Sequence, residues 1–156
     1  MAGPDWATAD RLIYQLQRCF AAVEGRKAEL LAEVELLPSH YALMMNVRAH
    51  PGIIGSELAR LLGVTPQNVT GLVAKLLARQ LLERRPHERH PNLLELRLTD
   101  QGTTLLKRAD TLVAALEEQA VTSLGTVQTR ALKSNLEQLR AAVAEHPTQS
   151  QVPAAR

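Results

Sequence analysis

Cysteine occurs once, at Cys19, in 156 residues. That excludes a disulfide framework within the chain and a metal cage of several thiolates, and a reducing compartment is the expected home. Aromatic residues are nearly as scarce, with Trp6, Tyr14, Phe20 and Tyr41 making up 3%. Leucine and alanine must then supply the core, which favours helices packed on helices over a large sheet. No apolar run approaches the roughly 18 residues of a membrane span, and MAGPDWATAD carries acids where a secretory signal has a basic end and an apolar core. A cytoplasmic protein with no membrane partner is expected. The sequence has no glycine-rich phosphate loop, nucleophile elbow or HExxH motif, and Cys19 has no histidine partner by sequence position. No enzyme, catalytic residue or cofactor is therefore expected. His87-x-x-His90 with Glu88 could gather a cation adventitiously, but no matched ligands elsewhere close a tetrahedral site, so no metal is expected either.

Apolar residues make up 46% of the chain and charged residues 22%, the balance of an ordinary soluble globular chain. The formal charge is only +2, but it is unevenly spread. From Arg48 to Arg97 eight Lys or Arg face four Glu, whereas residues 1–47 carry four basic against six acidic and residues 98–156 carry six of each. The basic charge sits in the middle of the chain.

From Thr8 to about Glu35 the apolar positions Leu12, Ile13, Leu16, Phe20, Val23, Leu30, Leu31 and Val34 recur at helical spacing. A short helix through Tyr41, Met44, Met45 and Val47 ends before His50-Pro51-Gly52. GSELARLLG then reads as a compact helix closed by Gly63, and Thr65-Pro66 opens the next, with Thr65 as cap and Pro66 in the first turn. This helix turns Val69, Leu72, Val73, Leu76 and Leu77 inward and leaves Gln67, Asn68, Thr70, Gly71 and Lys75 outside. Alternation on both sides of PHERHPN predicts a hairpin, with Leu94, Leu96 and Leu98 on one face and Glu95 and Arg97 on the other. Only one of Arg84 and Arg85 should face solvent, leaving the other packed or salt-bridged. Two helices follow, from about Asp100 to Ser123 and from about Thr126 to Glu145, and the tail after them is expected to fray.

The order matters more than any piece. A short helix, a tight turn, a second helix with a free polar N-terminus and then a basic hairpin suit a protein that reads double-stranded DNA in the major groove. Gln67 and Asn68 can each form bidentate contacts to adenine, and Arg89 at the hairpin tip suits a narrow, negative groove. The alternative from the residues alone is a helical homodimeric protein-interaction scaffold without specific DNA binding.

YALMMNVRAHPG, SELARLLGVTPQNVTGLVAKLLARQLLERR, the hairpin and LELRLTDQG together resemble the MarR family of transcriptional regulators. The resemblance implies a mainly α winged helix-turn-helix protein with a two-stranded wing. Residues 1–156 would form one such domain, with a DNA-binding lobe at 38–100 and a helical dimerisation region formed by the N- and C-terminal helices at 10–35 and 100–145. It also implies a homodimeric repressor of nearby genes, released by a small aromatic or phenolic effector. Pro66, Gln67, Asn68, Thr70 and Gly71 match the base-facing positions, and Thr65, Lys75, Arg84 and Arg85 the phosphate-facing ones. Around the short second helix, where the family's effector pocket lies, stand His40, Tyr41, Met44, Met45, Arg48 and His50. Arg48 or His50 would meet a carboxylate or phenolate. The chain departs from the pattern at the wing tip, where His90-Pro91-Asn92 replaces an acid and two arginines and Arg89, held by Glu88, would substitute. It departs again at Ile54, where a capping Ser or Thr is usual, leaving only Glu57 of a capping box, and at Gly71, where an arginine is common. Cys19 lies too late along its helix for the family's peroxide-sensing pattern and reads as an ordinary helix cysteine.

Overall fold

The computed structural model describes residues 11–88, 90 and 92–144. Among them run α1 (Leu12–Ala32), α2 (Pro38–Ala49), α3 (Gly55–Leu62), α4 (Pro66–Ala78), β1 (Leu82–Pro86), β2 (Leu94–Leu98), α5 (Asp100–Leu124) and α6 (Thr126–Ala144). This is the mainly α winged helix-turn-helix class expected from the sequence. The helix start expected at Thr8, the wing-tip Arg89 and the C-terminal tail lie outside the described residues.

Local chemistry sets the boundaries. Pro38 and Pro66 stand in the first turns of α2 and α4, where an intrahelical donor is not needed. Gly63 ends α3 at φ +65°, in the left-handed region open to glycine, and the Val64 N–H returns to Ala59 O at 3.1 Å. Ile54 offers α3 no side-chain acceptor, so the start of the helix relies on Glu57, whose Oε2 accepts from the Ile54 N–H at 3.1 Å. Glu35 and Gln80 adopt φ of 53° and 55° without being glycine. Each is tied from elsewhere: Arg79 Nη1 donates to Glu35 O at 2.7 Å, and Thr99 Oγ1 donates to Gln80 O at 2.6 Å.

The chain divides within α5 into two compact units, the first ending at Ala114 and the second beginning at Ala115. In the first, Leu31 of α1, Leu43, Met44 and Val47 of α2, Leu58 of α3, Val69, Val73 and Leu76 of α4, and Leu106 and Ala109 of α5 close one core. Val69, Val73 and Leu76 follow one stripe of α4, which leaves the opposite face of that helix in water. Only the C-terminal turn of α1 enters this core, while Leu12, Ile13, Phe20 and Val23 are exposed. The second unit holds the rest of α5 and α6, joined through Gly125. Val127, Leu132, Leu136 and Val143 of α6 are exposed.

The wing corrects one expectation. Its strands pair antiparallel with Leu82 opposite Leu98 and Pro86 opposite Leu94, but Leu94 is 51% exposed and Glu95 only 2%. The cause is the segment before α3. Leu96 N–H donates to Ile53 O at 2.9 Å and Ile54 bridges to Glu95, which brings Gly52 over the carboxylate. A Cβ on Gly52 would stand 3.4 Å from Glu95 Oε2. Arg97 compensates the buried charge by donating from Nε to Glu95 Oε1, and its pKa is raised, first by that hydrogen bond and then by the attraction of the same carboxylate. Two strands in isolation would alternate cleanly; here Leu96 stays buried on its own face while a third stretch along β2 covers Glu95 on the other.

Candidate nucleic-acid interface

The exposed face of α4 begins at a capped N-terminus. Thr65 Oγ1 accepts from the Asn68 N–H at 3.3 Å, so backbone donation fixes the first turn and leaves the Gln67 and Asn68 side chains uncommitted to the cap. Both residues are exposed, as are Thr65, Pro66, Thr70, Gly71 and Lys75. Thr70 Oγ1 donates to Pro66 O at 2.9 Å, which commits its proton to the helix and leaves its oxygen as an acceptor. A Cβ added at Gly71 would meet nothing within 4 Å, so the surface there is open to the close approach of a large partner. The structure thus brings Thr65, Pro66, Gln67, Asn68, Thr70, Gly71 and Lys75 onto one helix surface.

Arg84 lines a hollow of about 270 Å³ between α4 and the wing, together with Ser56, Pro66, Thr70 and Leu94. Arg85 is exposed too, on the opposite face of the strand, and pairs with Glu83 at 2.7 Å. Alternation holds for these arginines, but because a two-stranded wing leaves much of both faces in water, neither is packed away. Glu88 accepts from Arg97 Nη2 at 3.3 Å, and the contact expected between it and Arg89 lies outside the described residues.

The four carboxylates of the basic central segment are spent internally. Glu57 caps α3, Glu83 pairs with Arg85, and Glu88 and Glu95 both engage Arg97. Lys75 and Arg84 have no carboxylate partner among the described residues, and neither has Arg60 at the end of α3, a cation that sequence reading passed over. A net positive surface around α4 follows from this pairing, and the formal charge of the whole chain gives no hint of it.

The second group of candidates is arranged differently. Tyr41 and Met44 are buried in the core, and Met45 is exposed. Arg48 donates to Asp110 Oδ2 of α5, and Tyr41 Oη donates to Asp110 Oδ1 at 2.9 Å. His50 Nδ1 lies 3.0 Å from Asn46 O. A hollow of about 410 Å³ beside His50 is lined also by Ile53, Glu57, Arg60, Leu61 and His87, and Tyr41, Met44, Met45 and Arg48 lie outside that lining. Cys19 is exposed on α1. No cluster of three metal-ligating side chains occurs among the described residues.

His40 is buried with neither ring nitrogen hydrogen-bonded. Burial first, then the Lys75 and Arg79 cations, lower its pKa from the ordinary 6.5. The unfolded chain therefore takes up this proton before the folded one does. Its effect on stability is absent above pH 6.5 and destabilises progressively as pH falls from there through the lowered folded value. His40→Leu loses no hydrogen bond and is expected to melt at least as high as the wild type at about pH 7.5, and to lose less stability between about pH 7.5 and about pH 5.5. Thermal melts at the two pH values check this; equal losses for the two proteins would contradict it.

A tight helix-turn-helix with an outward polar second helix, followed by a basic two-stranded wing, defines the class of winged helix-turn-helix proteins. Residues 35–90, which span that motif, match the model of the MarR family. The HTH-type transcriptional repressor Rv2887 of Mycobacterium tuberculosis is 29% identical over 126 residues, covering 81% of this chain and 91% of the relative. Its structure in complex with salicylic acid superposes with a TM-score of 0.67 at 29% identity, over 86% of this chain and 98% of that one. The transcriptional repressor CouR bound to a 23-mer DNA duplex gives 0.74 at 27% identity, over 92% of this chain and 99% of that one. CouR bound to p-coumaroyl-CoA gives 0.73 at 29% identity, over 86% and 94% respectively. Over residues 35–90 the chain is similar to the MarR family, and the relative it matches along four fifths of its length is a transcriptional repressor. No helix among the described residues is long and apolar enough to cross a membrane.

Proposed function

We propose that this protein is a cytoplasmic homodimeric transcriptional repressor that reads double-stranded DNA with α4 and is released by a small aromatic or phenolic ligand. The observation that carries the reading is the exposed polar face of α4, capped at Thr65 and flanked by cations whose neighbouring acids are already paired. Pro66, Gln67, Asn68, Thr70 and Gly71 face bases; Thr65, Lys75, Arg84, Arg85 and Arg89 face phosphates. Residues 38–100 form the DNA-binding lobe, and 10–35 with 100–145 the dimerisation region of one 1–156 domain. The apolar residues left exposed on α1 and α6 support the second assignment, because a single chain leaves them in water. Repression and its relief are supported by the relatives: two are repressors, one of which has been seen on DNA and with p-coumaroyl-CoA and the other with salicylic acid. The Tyr41, Met44, Met45, Arg48 and His50 neighbourhood is the part of this chain assigned to the effector. For such a ligand to act, it must bind the DNA-incompetent dimer more tightly than the competent one.

The test is selection of bound duplexes from a random pool by the full-length protein. A dimer of two-fold symmetry is expected to recover a partly palindromic site whose half-sites lie about one helical turn apart. Salicylate should weaken binding to that duplex, and the duplex should weaken binding of salicylate by the same factor. Recovery of no common sequence would overturn DNA reading and leave the interaction scaffold; equal salicylate affinity with and without DNA would remove salicylate as an effector.

A further inference from the structure

Asp110 stands near the last turn of α5 that packs on the core. The buried α5 residues of the first unit, Gly102, Leu106 and Ala109, precede it, half-buried Leu112 and Val113 pack against the same core just after it, and both of its carboxylate oxygens are engaged by α2. Oδ1 accepts from Tyr41, whose ring is locked in the core, and Oδ2 accepts from Arg48 two turns further along the same helix. Apolar packing at Leu106 and Ala109 fixes how far α5 lies from the core but resists rotation only weakly, since leucine and alanine contacts are not directional. A carboxylate held at both oxygens by donors seven residues apart on one helix is directional.

We propose that Asp110 is a positioning residue that fixes the tilt of α5 against α2 and thereby sets the half-site spacing that the dimer accepts. The inference rests on the reading of α5 as part of the dimerisation region. Its leverage is geometric. From Asp110 to Leu124 the helix continues for 14 residues, about 20 Å at the usual rise per residue. A tilt of about 10° at Asp110 moves the far end by about 3.5 Å, which is one base-pair step. A loose clasp therefore blurs the register between two recognition helices by the amount that separates neighbouring spacings. The carboxylate oxygens lie 62 and 69 residues from their donors in sequence, so no local pattern announces the contact.

The experiment uses full-length protein and the duplex recovered by selection with the wild type. Derivatives of that duplex carry one base pair inserted between or deleted from the half-sites, and a further duplex keeps a single half-site. The wild type is expected to lose about tenfold in affinity for either spacing change. Asp110→Asn and Asp110→Ala are expected to bring that ratio to within about threefold, with single-half-site binding unchanged. The exchanged pair Arg48→Asp with Asp110→Arg restores an ion pair between the same helices and should recover most of the spacing discrimination. Unaltered spacing ratios in both single variants would overturn the proposal, and so would equal losses on intact and single-half-site duplexes, which mark general destabilisation. Failure of the wild type to select any duplex is a different result, one that removes the DNA reading itself.

Discussion

Gly102→Ala is expected to cost about 3 kcal/mol or more, a large share of the roughly 5–15 kcal/mol by which a domain of this kind is stable. A Cβ at this position would lie 2.0 Å from Leu81 O and 2.9 Å from Leu81 C. Both obstacles are backbone, so no side chain can swing away to make room. To accept the methyl group, the first turn of α5 must withdraw from the turn between α4 and β1, and three contacts hold it there. Thr99 N–H donates to Leu81 O at 3.2 Å, Thr99 Oγ1 donates to Gln80 O at 2.6 Å, and Gly102 N–H donates to Thr99 Oγ1 at 2.9 Å. Their loss releases the strained Gln80 as well as the helix start. Gly25→Ala is the control, because a Cβ there meets nothing within 4 Å in the middle of α1, and it is expected to stabilise by up to about 1 kcal/mol. Urea unfolding of the three proteins separates these cases. A Gly102→Ala midpoint equal to that of the wild type would show that α5 does not approach Leu81 as closely as described.

The same region marks where sequence reading reaches its limit. Thr99-Asp100-Gln101-Gly102 is visible as part of a motif, but the reason for its glycine is a backbone 21 positions away, at Leu81. Where structure follows from nearest neighbours, the sequence was sufficient: Thr65-Pro66 starts α4, Gly63 ends α3, and the spacing of Val69, Val73 and Leu76 divides α4 into an inner and an outer face. The base-facing set could be named from that division because a helix surface has a fixed period. Burial of Glu95 could not be, since alternation describes a strand pair and the deciding partner is the Gly52–Ile54 stretch, some 40 residues earlier in the chain. Arg48 was legible as an available cation, yet its carboxylate partner, Asp110, sits on another helix in a stretch whose own charges balance. That Lys75 and Arg84 have no carboxylate partner among the described residues depends in turn on which acids fold onto which bases. Charge counting supplies an excess for the segment, and only the pairing assigns it to a surface.

The outward face of α4 makes one demand that no rearrangement elsewhere can imitate. Gln67 and Asn68 are exposed, and the capping bond at Thr65 uses the backbone N–H of Asn68, so replacing either side chain leaves the helix start intact. Any effect on DNA then belongs to the lost amide and not to a damaged fold. Binding titrations of the selected duplex and a scrambled one, across a range of salt, compare the wild type with Gln67→Ala, Asn68→Ala and Lys75→Ala. Each amide lost from a bidentate base contact should reduce the cognate-to-scrambled preference by about 1–3 kcal/mol, with the salt dependence unchanged. Lys75→Ala should weaken both duplexes alike and lower the salt slope by about one. A cognate-to-scrambled ratio that stays at the wild-type value in both amide variants, with helicity intact, would contradict base reading by α4.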